Sequence, residues 1–184
     1  MTYSSPKLSR PLVVDLDGTL IRSDVLVESA SQFLIQHPLA FFKPLLWLLR
    51  GKTTLKRELA QRVQLDPSAL PYNEDVLTWL RAEKQSGRRL VLATASHRVL
   101  AEQVAQHLKL FDEVLATEGD VNLKSLAKAQ ALVAQFGEGG FDYVGNDWPD
   151  LQVWAQAHTA HVVDAPTALL RRAQTQGHVG QVFD

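Results

Sequence analysis

A short apolar strand runs directly into two carboxylates one residue apart and then into a Gly-Thr turn: Val13-Val14-Asp15-Leu16-Asp17-Gly18-Thr19-Leu20. This stretch limits the folds open to the chain. Open parallel sheets bind ligands in crevices at the carboxyl ends of their strands, so an acidic loop there marks the working edge of an α/β domain. Side chains of an extended chain alternate with period two, which turns Asp15 and Asp17 toward the same side. Even where the turn bends the chain, both carboxylates reach one small volume.

Two crowded carboxylates repel, so they are expected to hold a cation, to share a proton, or to do both in turn. Phosphoryl transfer through an acyl-phosphate makes that demand. One Asp is ionised and attacks phosphorus, the other is protonated and serves the leaving oxygen, and a divalent ion screens carboxylate from phosphate. Gly18 and Thr19 are expected to offer backbone N–H groups to phosphate oxygens, with no Cβ at Gly18 in the way.

The segment after the first strand is helical in pattern. Ser23 or Asp24 can cap a helix with Leu26, Ala30, Phe33 and Leu34 on one face, which ends at His37-Pro38. The dense apolar run Leu39 to Leu49 follows, broken by Lys43 and Pro44 and closed by Arg50-Gly51. It is too short to span a bilayer, which takes about 20 residues. Its expected fate is a helical hairpin packed over the active site; a greasy mouth for a lipid substrate or a membrane surface is the alternative. A further helix, Lys52 to Val63, carries Leu55, Leu59 and Val63 at four-residue spacing. Residues 22–72 thus read as a small all-helical cap inserted after the first strand, between core segments 11–21 and 73–176, with residues 1–10 and 177–184 as flexible tails.

From Asn73, which can cap the helix Glu74 to Gln85, the chain alternates strand and helix as a doubly wound α/β domain requires. Leu90 to Ala93 ends in Thr94-Ala95-Ser96, where a hydroxyl at a strand end can bind a phosphate oxygen beside the start of the helix Val99 to Leu108. Ser96 reads as a plain helix cap. Glu113 to Ala116, Phe141 to Gly145 and Ala160 to Val163 complete a five-stranded parallel sheet. A phosphate near Asp15 needs a fixed cation, and two lysines compete for that place, Lys124 and Lys128. After the fourth strand, Asp147 and Asp150 can cap the next helix or serve the site.

Composition narrows the partners. With 184 residues, 46% hydrophobic, and a net charge of −1, the chain can bury a good core and has no charge excess that would make nucleic acid or anionic lipid its main partner. Cysteine is absent, so disulfides and thiolate metal sites are ruled out. The N-terminus lacks the apolar core of a signal peptide, and a cytoplasmic location, with peripheral membrane association as a variant, is the expectation.

Taken together, these stretches resemble the haloacid dehalogenase superfamily over roughly residues 11–175. Its motifs are Asp-x-Asp-Gly-Thr after an apolar strand, an apolar strand followed by Thr or Ser, a lysine followed by a small residue and then Ala-Leu, and Gly-Asp with a second Asp four residues on. Asp15 to Thr19, Thr94, Lys128-Ala129-Gln130-Ala131-Leu132 and Gly145 to Asp150 take these places, with Asn146 where the family has Asp. The motif fit favours Lys128 over Lys124. The chain is also similar to a subgroup fused ahead of membrane prenyltransferases of the 4-hydroxybenzoate polyprenyltransferase type, through Leu45 to Gly51, Leu70 to Glu74, Leu92 to Ser96 and Gly145 to Leu151.

The resemblance implies a Rossmann-like fold and a Mg²⁺-dependent phosphatase acting on a phosphorylated metabolite, prenyl-linked in the subgroup's case. Asp15 would be the nucleophile and Asp17 the acid and base, with Gly18, Thr94, Ala95 and Lys128 around the phosphate. The metal would lie among Asp15, Asp17 and Asn146 or Asp147, with Asp150 in the motif's second acidic place. An amide at 146 brings no charge, so metal affinity falls unless Asp147 compensates. A phosphomutase or phosphotransferase would use the same residues, and a metal-weakened domain would serve as a binding or regulatory module of a prenyltransferase system.

Overall fold

The computed structural model describes residues 10–63, 65–118 and 123–184. Most of the expected N-terminal tail, residues 1–9, and residues 119–122 of the loop after the third strand lie outside the described residues.

Six parallel strands form one sheet in the order β3-β2-β1-β4-β5-β6: β1 Leu12–Val14, β2 Leu90–His97, β3 Glu113–Thr117, β4 Asp142–Gly145, β5 Thr159–Val163 and β6 His178–Phe183. The order reverses at β1, which pairs with both β2 and β4. The carboxyl ends of β1 and β4 therefore flank the crevice in which such sheets bind ligands. Period-two alternation divides the core between two faces. Leu12 and Val14 pack with Leu77 and Leu80 of α4 (Glu74–Gln85) and with Leu100 and Val104 of α5 (Arg98–Leu108). Val13 points the other way, onto Leu132 of α6 (Leu126–Phe136), Trp154 of α7 (Leu151–Trp154) and Leu169 of α8 (Thr167–Gln176).

Between β1 and α4 lie three helices, α1 (Val25–Gln36), α2 (Lys43–Leu49) and α3 (Lys52–Arg62). Asp24 rather than Ser23 caps α1, accepting from the Leu26 N–H at 2.7 Å, and Asn73 caps α4 through Val76. Pro44 does not interrupt a helix. It sits in the first turn of α2, where its missing N–H leaves no hydrogen bond unmade. A bridge between Ile21 and Tyr72 closes the neck of this insertion. No helix among the described residues is long and apolar enough to cross a membrane.

Two expectations are corrected. The sheet has six strands, not five, because residues 178–183 form β6 and not a loose tail. Its alternation is weak in sequence because most of its side chains are exposed. Pairing with β5 and the packing of Phe183 against Trp79, with ring centroids 5.4 Å apart, hold it in place. The apolar run at 39–49 does not bury itself over the site either: of α2 only Trp47 is buried, while Leu45 and Leu49 face solvent. Trp47 packs with Phe33 of α1 and with Leu55 and Leu59 of α3, both on one side of α2, so one side is all that it buries.

Candidate active site

The β1–β4 crevice opens into a cleft of about 460 Å³ lined by Asp15, Asp17, Lys128, Asn146 and Asp147 from the sheet side and by Lys52 and Lys56 of α3. Asp15 follows the last residue of β1, and Lys128 reaches it from the buried side of α6, beside Ala129 and Leu132. Lys128 Nζ lies 2.8 Å from Asp15 Oδ1 and 2.9 Å from the Tyr143 hydroxyl. The chain of bonds continues, since that hydroxyl donates to Asp150 Oδ1 at 2.8 Å. Asp150 Oδ2 accepts from the Asn146 and Asp147 N–H groups, each at 3.0 Å. Charge-assisted hydrogen bonds in a dry setting of this kind fix their members in place.

Burial pushes the Asp15 carboxyl up to about 7, with Asp150 and Asp17 adding to the rise and Lys128 opposing it. Burial, followed by the charge of Asp24, also raises Asp17, while the Val25 N–H and the Ser96 hydroxyl hold it down. Those two donors approach Asp17 at 2.8 Å and 2.7 Å. Burial and the neighbouring carboxylates of Asp15 and Asp150 keep the Tyr143 phenol well above its usual range, so it stays a neutral donor.

The sequence-predicted residues divide into those the structure brings together and those it does not. Asp15, Asp17, Lys128, Asn146 and Asp147 all line the one cleft. Lys124 also lines it, but is exposed and takes no part in the Asp15 ion pair. Gly18 is needed for shape and not for its N–H. It has a φ of +74°, and a Cβ there would fall 2.2 Å from Asn146 Nδ2. Its N–H donates to the Ser23 carbonyl at 3.0 Å, and that of Thr19 to the Leu16 carbonyl at 3.3 Å, so neither amide is offered to a phosphate as expected. The turn closes on itself because its own carbonyls are nearer.

Thr94 is also revised. It is fully buried and does not line the cleft; its hydroxyl accepts from the Ser96 N–H at 2.9 Å and lies 3.5 Å from Asp17. A register shift in β2 after Thr94 turns Ser96, expected to be a mere cap, onto Asp17, and leaves His97 to cap α5. Ala95 does line the cleft, and its carbonyl accepts from Lys56 Nζ at 2.7 Å. Asp150 has both oxygens occupied by protein donors, so it orients Tyr143 and the 146–147 loop and is not left free as a metal ligand. Gly145 permits this approach: a Cβ there would meet Asp150 Oδ2 at 2.6 Å.

Tyr143, Ser96 and Lys56 were missed in the sequence. A signal existed for Tyr143, since period two in β4 places it on the face that α6 covers, where a buried lysine would need a partner. Nothing local marks Lys56, because its role depends on α3 folding back over β2. Burial lowers its affinity for a proton, and the charges of Asp17 and Asp24 restore part of it.

As a metal site, the cleft supplies oxygen only. Among the described residues no three His, Cys, Asp or Glu side chains come together. Asn146 Oδ1, which accepts from the Thr19 hydroxyl at 3.1 Å, shares the cleft lining with Asp15 and with Asp147, whose Oδ1 also accepts from the Trp148 N–H at 2.8 Å. This donor set suits a hard cation that is bound through one or two carboxylates and keeps several waters.

A family model described as haloacid dehalogenase-like hydrolase matches residues 48–134. Uncharacterized protein y4nM of Sinorhizobium fredii is 37% identical over 153 residues, which make up 83% of this chain and 30% of that protein. The chain thus spans less than a third of that relative's length. Among solved structures, a protein of unknown function from Bordetella pertussis Tohama I superposes with a TM-score of 0.65 at 13% identity, covering 95% of this chain and 98% of that one. A phospho-aspartyl intermediate analogue of phosphoserine phosphatase gives 0.60 at 15% identity, covering 96% and 93%. Identities this low speak to the fold alone. The haloacid dehalogenase-like hydrolase model thus matches a little under half of the chain, and the six-stranded fold is similar to those of the solved structures.

Proposed function

We propose that this domain is a Mg²⁺-dependent phosphatase that hydrolyses a phosphate monoester through an aspartyl-phosphate on Asp15. The observation that carries the reading is the buried Asp15–Lys128 pair lining one cleft with Asp17, where burial favours a protonated carboxyl on Asp17. An Asp15 carboxylate oxygen attacks phosphorus, and the bond to the ester oxygen breaks as Asp17 gives that oxygen its proton. Asp17, now ionised, then takes a proton from a water that attacks the same phosphorus, which frees phosphate and restores Asp15. Lys128 offsets the phosphate's charge while Tyr143 and Asp150 hold its ammonium in place.

The rise of the Asp15 carboxyl supports a resident cation, because a buried acid among other acids needs positive charge to stay ionised. Asp15, the Asp17 backbone carbonyl, Asn146 and Asp147 would hold Mg²⁺, which when bound screens carboxylate from phosphate. Residues 22–72 act as the cap over this cleft, with Lys56 latching it to Ala95. A substrate with an apolar stem, prenyl-linked or otherwise, is supported by Leu26 in the cleft wall and the apolar character of the cap.

The test is a screen of phosphate esters, including prenyl phosphates, with Mg²⁺ and with chelator. Metal-dependent release of phosphate that Asp15→Asn abolishes is the expected result. Turnover retained in a folded Asp15→Asn variant would refute the assignment.

A further inference from the structure

The helical insertion buries a small core of its own and then has apolar surface left over. Phe33, Trp47, Leu55, Leu59 and Val63 close on one another, with Trp47 edge-on to Phe33 at 5.1 Å. This uses one side of α2. Leu45 and Leu49, spaced four apart, share the other side and are 61% and 76% exposed, and Phe41 in the turn before α2 is 70% exposed. Leu39, in the turn, and Ile35, at the end of α1, are close by in the chain and 93% and 79% exposed. Scattered exposed leucines are ordinary on a monomer, but so many large apolar side chains exposed within one short segment mark an interaction surface.

Charge decides what covers it. Between Glu28 and Glu58 the chain has no acid at all, yet carries Lys43, Arg50, Lys52, Lys56 and Arg57. The whole chain nets −1, so the rest of the molecule is acidic and the insertion is a separate cationic region. Lys43 and Arg50 stand exposed at the two ends of α2, bracketing this surface. A second copy laid on it about a two-fold axis would bring two cationic rims together. An anionic lipid surface instead offers acyl chains to the apolar side chains and phosphates to the cations around them.

We propose that the outer side of α2, with its flanking turn, docks this domain on an anionic bilayer, lying in the headgroup layer without crossing it. Lys52 and Thr53 of α3 line the cleft mouth, so a membrane seated on α2 lies beside the entrance to the site. The docking is read by binding alone, so its outcome is separate from that of the hydrolysis assay.

The test is co-sedimentation of the full chain with vesicles of phosphatidylglycerol and phosphatidylcholine in equal parts, against phosphatidylcholine alone. Binding to the anionic vesicles that weakens as salt is raised is the expected result. Phe41→Ser combined with Leu45→Ser lowers the partition by on the order of tenfold or more, since both side chains lose their apolar burial. Lys43→Gln and Arg50→Gln each lower it about fivefold. These side chains are outside the cleft, so hydrolysis of a soluble aryl phosphate and the thermal midpoint stay as in the parent. No binding to anionic vesicles at low salt, or binding untouched by the Phe41 and Leu45 changes, overturns the proposal. So does a dimer in light scattering that those changes dissociate, which would give this surface to a second copy.

Discussion

Lys128 Nζ bridges Asp15 and the Tyr143 hydroxyl, at 2.8 Å and 2.9 Å, from a position that is almost wholly buried. An ammonium held this way is already in place when phosphate arrives, so no reorganisation is needed during the reaction. Replacing Lys128 by Met removes the cation and leaves Asp15 facing burial and its acidic neighbours. The expected loss in kcat/KM is on the order of 10²- to 10³-fold. Steady-state kinetics with an aryl phosphate, with circular dichroism to confirm folding, checks it; a loss below tenfold would remove Lys128 from the site.

Ser96 controls Asp17. Its hydroxyl donates to the carboxylate at 2.7 Å and so favours the ionised form. In Ser96→Ala the Asp17 pKa rises further, because burial and Asp24 act without that donor. The limb of the pH–rate profile that belongs to Asp17 is then expected to move to higher pH. An unchanged profile would mean that Asp17 does not control the measured step.

Gly18→Ala tests the turn. The substitution imposes a Cβ at a φ of +74° and drives it into the Asn146 amide. A destabilisation of about 1–3 kcal/mol is expected from the backbone conformation alone, read as a lowered denaturant midpoint. Adding Asn146→Gly relieves the clash and leaves the backbone cost, so the double variant recovers only part of the loss.

His161 should set an acid limit on stability. It lies under β6, its ring 4.8 Å from that of Trp79, and its Nδ1 accepts from the Gln181 N–H at 3.0 Å. A proton on Nδ1 would break that bond. Burial, together with the charge of Arg88, pulls His161 down to about 4 against an ordinary 6.5. The unfolded chain therefore binds the proton first as pH falls. The contribution is complete above pH 6.5 and is lost progressively toward pH 4, up to about 3 kcal/mol. Chemical denaturation across that window, compared with His161→Phe, checks the sign: the variant should lose this part of the slope. Hydrogen exchange at the Gln181 amide should quicken over the same range.

The sequence by itself determined the α/β order, the strand that ends just before Asp15 and the nearness of Asp15 to Asp17, because apolar periodicity and short motifs are properties of neighbouring residues; between Lys124 and Lys128 it left the choice to a family resemblance. Strand β6 was illegible, since an edge strand with mostly exposed side chains has little periodicity to read and is held by its pairing with β5. Only the tertiary structure decided which polar groups are already taken: the Gly18 amide by Ser23, the Thr94 hydroxyl by Ser96, and the Asp150 carboxylate by Tyr143 and two amides. It also decided that α2 keeps Trp47 inside and turns Leu45 and Leu49 out, with Phe41 exposed in the turn before it. Hydrogen-bond partners and burial depend on what other parts of the chain bring alongside, and no local pattern of residue types carries that information.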